Sequence, residues 1–249
     1  MPDPLFLFLL FLAAVLYTSV GHAGASGYLA VMTFYAIAPE TMRPAALVLN
    51  IVASVPTTYQ FLRAGHFERR IFFACAAGSI PFAFLGSKQE LPYLAFKIIL
   101  STALLAAAIR LLWTPAAIHP KRIMPIWVGV LLGVGIGYLA GLTGIGGGVY
   151  LTPIILIAGW ADPKKAAGVS SAFILVNSLA GILGRLDKIA TLPGEVAIWA
   201  VAVLAGGLIG GRLGSRWLGS IVLRRLLAIV LIIAVVKLVG EPLRALLER

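Results

Sequence analysis

Residues 141–148 read Gly141-Leu142-Thr143-Gly144-Ile145-Gly146-Gly147-Gly148, in the middle of 123–161, a run without a single Asp, Glu, Lys or Arg. Glycine clusters interrupt helices, because glycine alone adopts positive φ without strain and lets backbone approach a neighbour closely. Bilayer hydrocarbon does not tolerate such broken backbone where it faces lipid. About 120 residues earlier the chain repeats the arrangement: Gly21-His22-Ala23-Gly24-Ala25-Ser26-Gly27 lies within 4–39, which carries no acid, lysine or arginine either. Two interruptions at matching places in two halves are the usual pointer to a transporter's substrate site.

Composition fixes the surroundings. Of the 249 residues 61% are hydrophobic and 12% charged, with a mean hydropathy of +1.02. A soluble domain carries about 25% charged residues, and runs of about 20 apolar residues mark membrane helices. Eight such segments can be drawn: Pro4–Ala38, Met42–Leu62, Ile71–Gly86, Pro92–Trp113, Ile123–Trp160, Ala166–Gly184, Pro193–Gly211 and Ile221–Val239. The predicted fold class is therefore all-α, a polytopic integral membrane bundle. The net charge of +11 sits in loops and at helix ends, where lipid headgroups account for it, so no nucleic-acid partner is expected. The start of the chain lacks the basic region of a signal peptide and reads as a retained membrane segment. The single cysteine, Cys75, reads as a small buried hydrophobe.

The two halves share landmarks in one order. Gly24 matches Gly144, Pro39 matches Pro163, Asn50 matches Asn177, and Leu85-Gly86-Ser87-Lys88 matches Leu213-Gly214-Ser215-Arg216. The sequence thus predicts two homologous repeats, 1–118 and 123–249, with 119–122 as linker. The first element of each is odd in length. As one straight helix, 36 residues would run about 54 Å, too long for a core of about 30 Å. Two short helices meeting in a re-entrant hairpin at the glycines fit this length, as does one tilted helix broken there. The hairpin makes the repeats inverted; the broken helix makes them parallel.

Helices that start after the glycine loops point free N–H groups and a positive dipole end toward them, a ready anion site. The candidate substrate-binding residues are Gly24, Ser26 and Gly27 in the first half, and Thr143, Gly144, Gly146, Gly147 and Gly148 in the second. Asn50 and Asn177 lie mid-segment, where an amide is costly unless paired; each could hold the broken loop or meet the substrate. Ser170 and Ser171 stand two turns before Asn177 and line the same side. His22 is the one titratable side chain within a glycine loop, suited to an anion or a coupling proton. Lys97 and Arg225, inside their segments, read as snorkelling side chains. Arg43 and Lys164-Lys165 follow the hairpins and read as solvated loop charge that could gather anions. No carboxylate occupies a segment centre, which disfavours a cation carrier and suits an anion path. One cysteine and three scattered histidines make no metal set. No nucleophile–base pair is present, so no enzyme, cofactor or metal centre is expected.

The pattern Gly-x-x-Gly-x-Gly-Gly-Gly at 141–148, followed by Pro153, Lys165-Ala166, Ser170-Ser171 and Asn177, resembles the sulfite exporter TauE/SafE family of membrane permeases. Gly21, Gly24, Gly27, Pro39 and Asn50 resemble its first repeat, with Ala25-Ser26 and His22 as departures. The resemblance implies secondary transport of a small sulfur-containing anion, such as sulfite or a sulfonate, across the cytoplasmic membrane by alternating access. A passive anion channel, or a carrier for a non-sulfur organic anion, is the alternative. The partners expected are a small anionic substrate and the lipid bilayer, with a homo-oligomer left open.

Overall fold

A computed structural model describes residues 3–90, 98, 101–102, 105, 108–109, 122–217, 229, 232 and 236. Most of the predicted segments at 92–113 and 221–239, with Lys97, Arg225 and nearly all of the linker, lies outside the described residues. Within them the chain is helical, with no strand: α1 (Pro4–Ser19), α2 (Ala25–Phe34), α3 (Pro39–Arg63), α4 (Arg69–Lys88), α5 (Ile126–Thr143), α6 (Gly148–Ile157), α7 (Pro163–Leu183), a short α8 (Leu186–Ala190) and α9 (Glu195–Arg216). Five of these, α3, α4, α5, α7 and α9, are long and apolar enough to cross a membrane.

Local chemistry sets the starts. Asp3 accepts from Leu5 N (2.9 Å) and Asp162 from Lys165 N (3.0 Å), each an acidic cap followed by a proline in the first helical turn. The interruptions fall at the glycines. Gly21 and Gly24 have φ of 78° and 106°, and Gly144, Gly146 and Gly147 have 76°, 81° and 83°, a region other residues avoid.

At each interruption the chain turns back. Tyr35 Oη donates to Asp3 Oδ2 (3.0 Å) and the Tyr35 ring meets Phe6 at 4.9 Å, so α2 returns to where α1 began. Arg122 N donates to Gly159 O (3.3 Å), so the α5–α6 pair closes in the same way. The length of 4–39 is thus accommodated by a hairpin rather than a single kinked helix. The hairpins start from opposite ends of the bundle. The first leads directly into α3, whose Arg43 lies beside Gln89 at the end of α4. The second starts beside Arg70 at the beginning of α4, where Arg70 Nε donates to Met124 O (3.2 Å).

Packing runs through small residues. Gly133, Gly137 and Gly141 of α5 abut the backbone of Cys75, Ser79 and Ala83 in α4, and a Cβ at any of them would overlap it. On the far side of the bundle Gly206, Gly210 and Gly214 of α9 meet Phe11, Val15 and Ser19 of α1. Larger side chains point outward: Val201, Leu208 and Ile209 of α9 and Phe73 and Leu131 on α4 and α5 are exposed. Small residues inside and large apolar ones outside is the membrane pattern, since helices in lipid gain from close backbone approach.

The two seams correspond at two points. Gly78 abuts Val130 and Val134 as Gly206 abuts Phe11 and Val15, and Gly86 abuts Tyr138 as Gly214 abuts Ser19. The numbering differences are constant: 206 − 78 and 214 − 86 both give 128, and 130 − 11 and 138 − 19 both give 119.

Candidate functional site

The second glycine loop, 144–147, is held from both halves. Asn50 on α3 donates from Nδ2 to Gly144 O (3.2 Å), and Asn177 on α7 donates from Nδ2 to Gly146 O (3.4 Å). A carbonyl can only accept, so each amide must turn its nitrogen toward the loop. That leaves both Oδ1 atoms buried without a donor, in side chains 0% and 1% exposed. Thr143 Oγ1 donates back to Leu139 O (2.8 Å) and lies 3.4 Å from Ile145 N. Gly148, first in α6, is covered by Ile174 and faces the Ser170 carbonyl.

The loop's own donors are what remains. Gly144 N donates to Ala140 O, and Tyr150 N and Leu151 N both donate to Gly147 O. Among the described residues nothing accepts from the N–H groups of Gly146, Gly147, Gly148 or Val149. The same holds at the first hairpin for Ala23 through Gly27, between His22 N, which reaches Tyr17 O, and Tyr28 N, which reaches Gly24 O. Residues 23–27 and 141–149 are all buried. First-turn N–H groups have no partner within a helix, but water ordinarily serves them. Buried without an acceptor, each costs about 1–3 kcal/mol.

The first loop is braced by Tyr28 Oη, which donates to Ala23 O. Gly24 and Gly27 pack against the Tyr28 and Tyr17 rings of their own hairpin, and Ser26 Oγ is buried without a well-formed hydrogen bond. His22 carries the loop to the other half. Its Nδ1 is 3.2 Å from Val20 O and its Nε2 3.2 Å from Thr152 Oγ1, which in turn lies 2.6 Å from Ser170 Oγ. Ser171 Oγ faces Thr58 Oγ1 at 2.8 Å, across α3 and α7.

The candidates therefore fall into two clusters: Asn50, Asn177, Thr143, Gly144 and Gly146–Gly148 at the second loop, and His22 with Ser170 beside the first. Gly24, Ser26 and Gly27 line the first hairpin, and Ala25 joins Ile145 and Val149 in one apolar core. Thr152 was not legible; its only signal is a place one turn after Gly148. Arg43 reads in sequence as solvated loop charge, yet it is 6% exposed and donates to Gln89 O (3.3 Å) and Gly141 O (3.5 Å). It is a buried neighbour of the second loop. Arg185, just past the end of the Ala166–Gly184 segment, is 7% exposed and donates to the same Gln89 carbonyl (2.7 Å). Burial holds its guanidinium below the usual value, while Glu90 and Asp187 pull it back up.

Comparison with known proteins agrees with this architecture. The family model described as sulfite exporter TauE/SafE matches residues 6–238. The chain is 34% identical over 233 residues to a probable membrane transporter protein, y4hK, of Sinorhizobium fredii, covering 92% of this chain and 94% of that one. It is 32% identical over 89 residues to a probable membrane transporter protein, YunE, of Bacillus subtilis, covering 35% of this chain and 31% of that one. No solved structure matches. With glycine-broken hairpins, five apolar spans and a family match over nearly its whole length, the chain belongs to the sulfite exporter TauE/SafE family and is a multi-pass membrane transporter.

Proposed function

We propose that the protein is a secondary transporter of a small sulfur-containing oxyanion, sulfite or a sulfonate, across the cytoplasmic membrane by alternating access. The observation that carries this reading is the pair of buried, unaccepted N–H sets at Ala23–Gly27 and Gly146–Val149. Backbone N–H groups at helix starts suit oxyanions and carry no full charge, so a bound anion is held without being trapped. In this reading Gly24, Ser26 and Gly27 contribute from one hairpin, and Gly146, Gly147 and Gly148 from the other, while Gly144, whose N–H is taken by Ala140 O, shapes the turn. Asn50, Asn177 and Thr143 hold the second loop in its donor-presenting shape. Their hydrogen bonds to Gly144, Gly146 and Leu139 favour a positioning role. His22, Ser170 and Ser171 shape the wall beside the first loop.

We further propose that 1–118 and 123–249 are duplicated, inverted halves. Support comes from the matched seams and from hairpins that start at opposite ends. An inverted pair offers two related conformations, each open to one side, around a site between the halves.

The test is uptake of radiolabelled sulfite into liposomes containing the purified protein, with methanesulfonate, sulfate and acetate as competitors. The reading expects saturable uptake with counterflow, inhibited by sulfur oxyanions more strongly than by acetate. Uptake linear in concentration without counterflow makes the protein a channel. Absence of anion movement refutes the reading.

A further inference from the structure

The two amides that hold the second glycine loop each have an unused end. Asn50 on α3 and Asn177 on α7 give their nitrogens to Gly144 O and Gly146 O. Turning either amide over would set oxygen against carbonyl oxygen, so the nitrogens stay on the loop. Each Oδ1 is thereby an acceptor in a side chain 0% or 1% exposed, with no donor among the described residues. Asn50 also lies against Gly146, whose Cβ position is 3.1 Å from its Nδ2. An amide's oxygen and nitrogen share one carbon, so both oxygens stand next to the loop whose N–H groups at 146–149 have no acceptor.

Unpaired donors alone describe a receptor for a bare oxyanion. Unpaired donors and acceptors together describe one for an anion that still carries a hydrogen. A bare oxyanion offers lone pairs only; it fills the N–H groups but leaves both amide oxygens unpaired, facing its negative charge. A guest with an O–H or N–H completes both sets at once. A site built this way rejects the analogue lacking the hydrogen far more sharply than an apolar pocket rejects a change of shape. A metal cation also suits amide oxygens, but here it would face the loop's N–H groups, and neither α3 nor α7 carries an acid in its middle to balance it.

We propose that Asn50 and Asn177 are specificity-determining residues whose amide oxygens select, among small sulfur oxyanions, those bearing a hydrogen-bond donor of their own. Hydrogensulfite and a hydroxyalkyl or aminoalkyl sulfonate share this chemistry. The inference deepens the transport reading above and takes the sulfur oxyanion from it.

The experiment follows the melting temperature of the full-length protein in phosphatidylcholine nanodiscs against ligand concentration at fixed ionic strength. Isethionate and ethanesulfonate carry the same charge and differ by one hydroxyl. A sulfonate guest shows itself when isethionate half-saturates roughly 10- to 100-fold below ethanesulfonate, the effect of leaving a buried acceptor unpaired. A hydrogensulfite guest shows itself when the half-saturating total sulfite rises as pH crosses its second ionisation, while that of methanesulfonate does not. The charged or titratable side chains around the loop are His22, joined through Thr152 to Ser170, and Arg43 at Gly141 O, with Arg185 beyond it at Gln89 O. A change arising in them moves methanesulfonate equally. Asn177→Leu and Asn50→Leu replace each amide by an apolar group of similar size. Loss of the loop bond weakens all the anions alike, so the preference between them reads the oxygen, and it shrinks several-fold in each variant. The wild-type comparison stands even if neither variant folds. The proposal is overturned if neither comparison shows a preference, if the preference is unchanged in both variants, or if sodium, compared with choline, stabilises the wild type but not the variants, which gives the oxygens to a cation. Saturable sulfite uptake without a preference removes this inference and leaves the transport reading. A preference without uptake does the reverse, and the absence of both uptake and stabilisation removes the two together.

Discussion

Gly146→Ala is the perturbation that most directly strikes the second loop. Gly146 has φ of 81°, and a Cβ there would lie 2.7 Å from Ile174 Cγ2 and 3.1 Å from Asn50 Nδ2. Three costs follow. Left-handed backbone in a residue with a side chain costs about 1–2 kcal/mol. Overpacking against Ile174 costs about 1–3 kcal/mol. Displacing the Asn50 amide from Gly144 O removes a hydrogen bond of about 0.5–1.5 kcal/mol. The sum is about 2.5–6.5 kcal/mol. Gly65→Ala supplies the control: Gly65 has φ of 76° with nothing within 4 Å of its Cβ position, so it reports the backbone cost alone. Thermal inactivation and denaturant unfolding of both variants, with sulfite uptake in parallel, separate the two. Gly146→Ala should be less stable than Gly65→Ala by at least about 1 kcal/mol and should lose most of its transport. Equal stability of the two variants, with transport intact in both, refutes the argument that this loop is packed and held for function.

Asn177→Ala removes the 3.4 Å donor to Gly146 O together with an unpartnered Oδ1; melting should change by less than about 1 kcal/mol while sulfite uptake falls several-fold, and wild-type kinetics would count against the positioning role. Gly210→Ala places a Cβ on Val15 O and Thr18 Oγ1 and should destabilise by about 1–3 kcal/mol, read by melting. Gly135→Ala, in open space on α5, should be neutral or stabilising by up to about 1 kcal/mol. Thr152→Val cuts the link between His22 Nε2 and Ser170 Oγ; uptake should fall while the variant still purifies folded, and unchanged uptake would place that link outside the transport path.

Much of this was legible because hydropathy and glycine are local signals. The segment drawn at Met42–Leu62 is α3, Pro39–Arg63, and Ile71–Gly86 is α4, Arg69–Lys88. Both helix breaks lie at the quoted glycines. Whether each break was a kink or a reversal could not be read from composition, since both bury the same residues; the contacts of Tyr35 with Asp3 and Phe6 decide it. The asparagines were found by the cost of an amide in hydrocarbon, but their partners are carbonyls distant in sequence. Arg43 was misjudged for a physical reason, and the burial of Arg185 was not foreseen for the same one. A charge at a segment end is ordinarily solvated, and only the approach of α4, α5 and α7 around Gln89 buries these two.

The likeness of the two glycine seams has an energetic consequence. If the halves are copies, as proposed, and the hairpins rock against α4 and α9, the inward- and outward-open states exchange equivalent contacts, and their energies cancel wherever the copies agree. Any preference for one side must then arise where the copies differ. Between Pro39 and Pro163, 124 apart, and Asn50 and Asn177, 127 apart, Arg43 falls opposite Ala167 to Ser170, where no cation stands. A buried cation in one copy with none in the other would be such a difference, and on the proposed reading it would tilt an otherwise balanced pair of states toward one side.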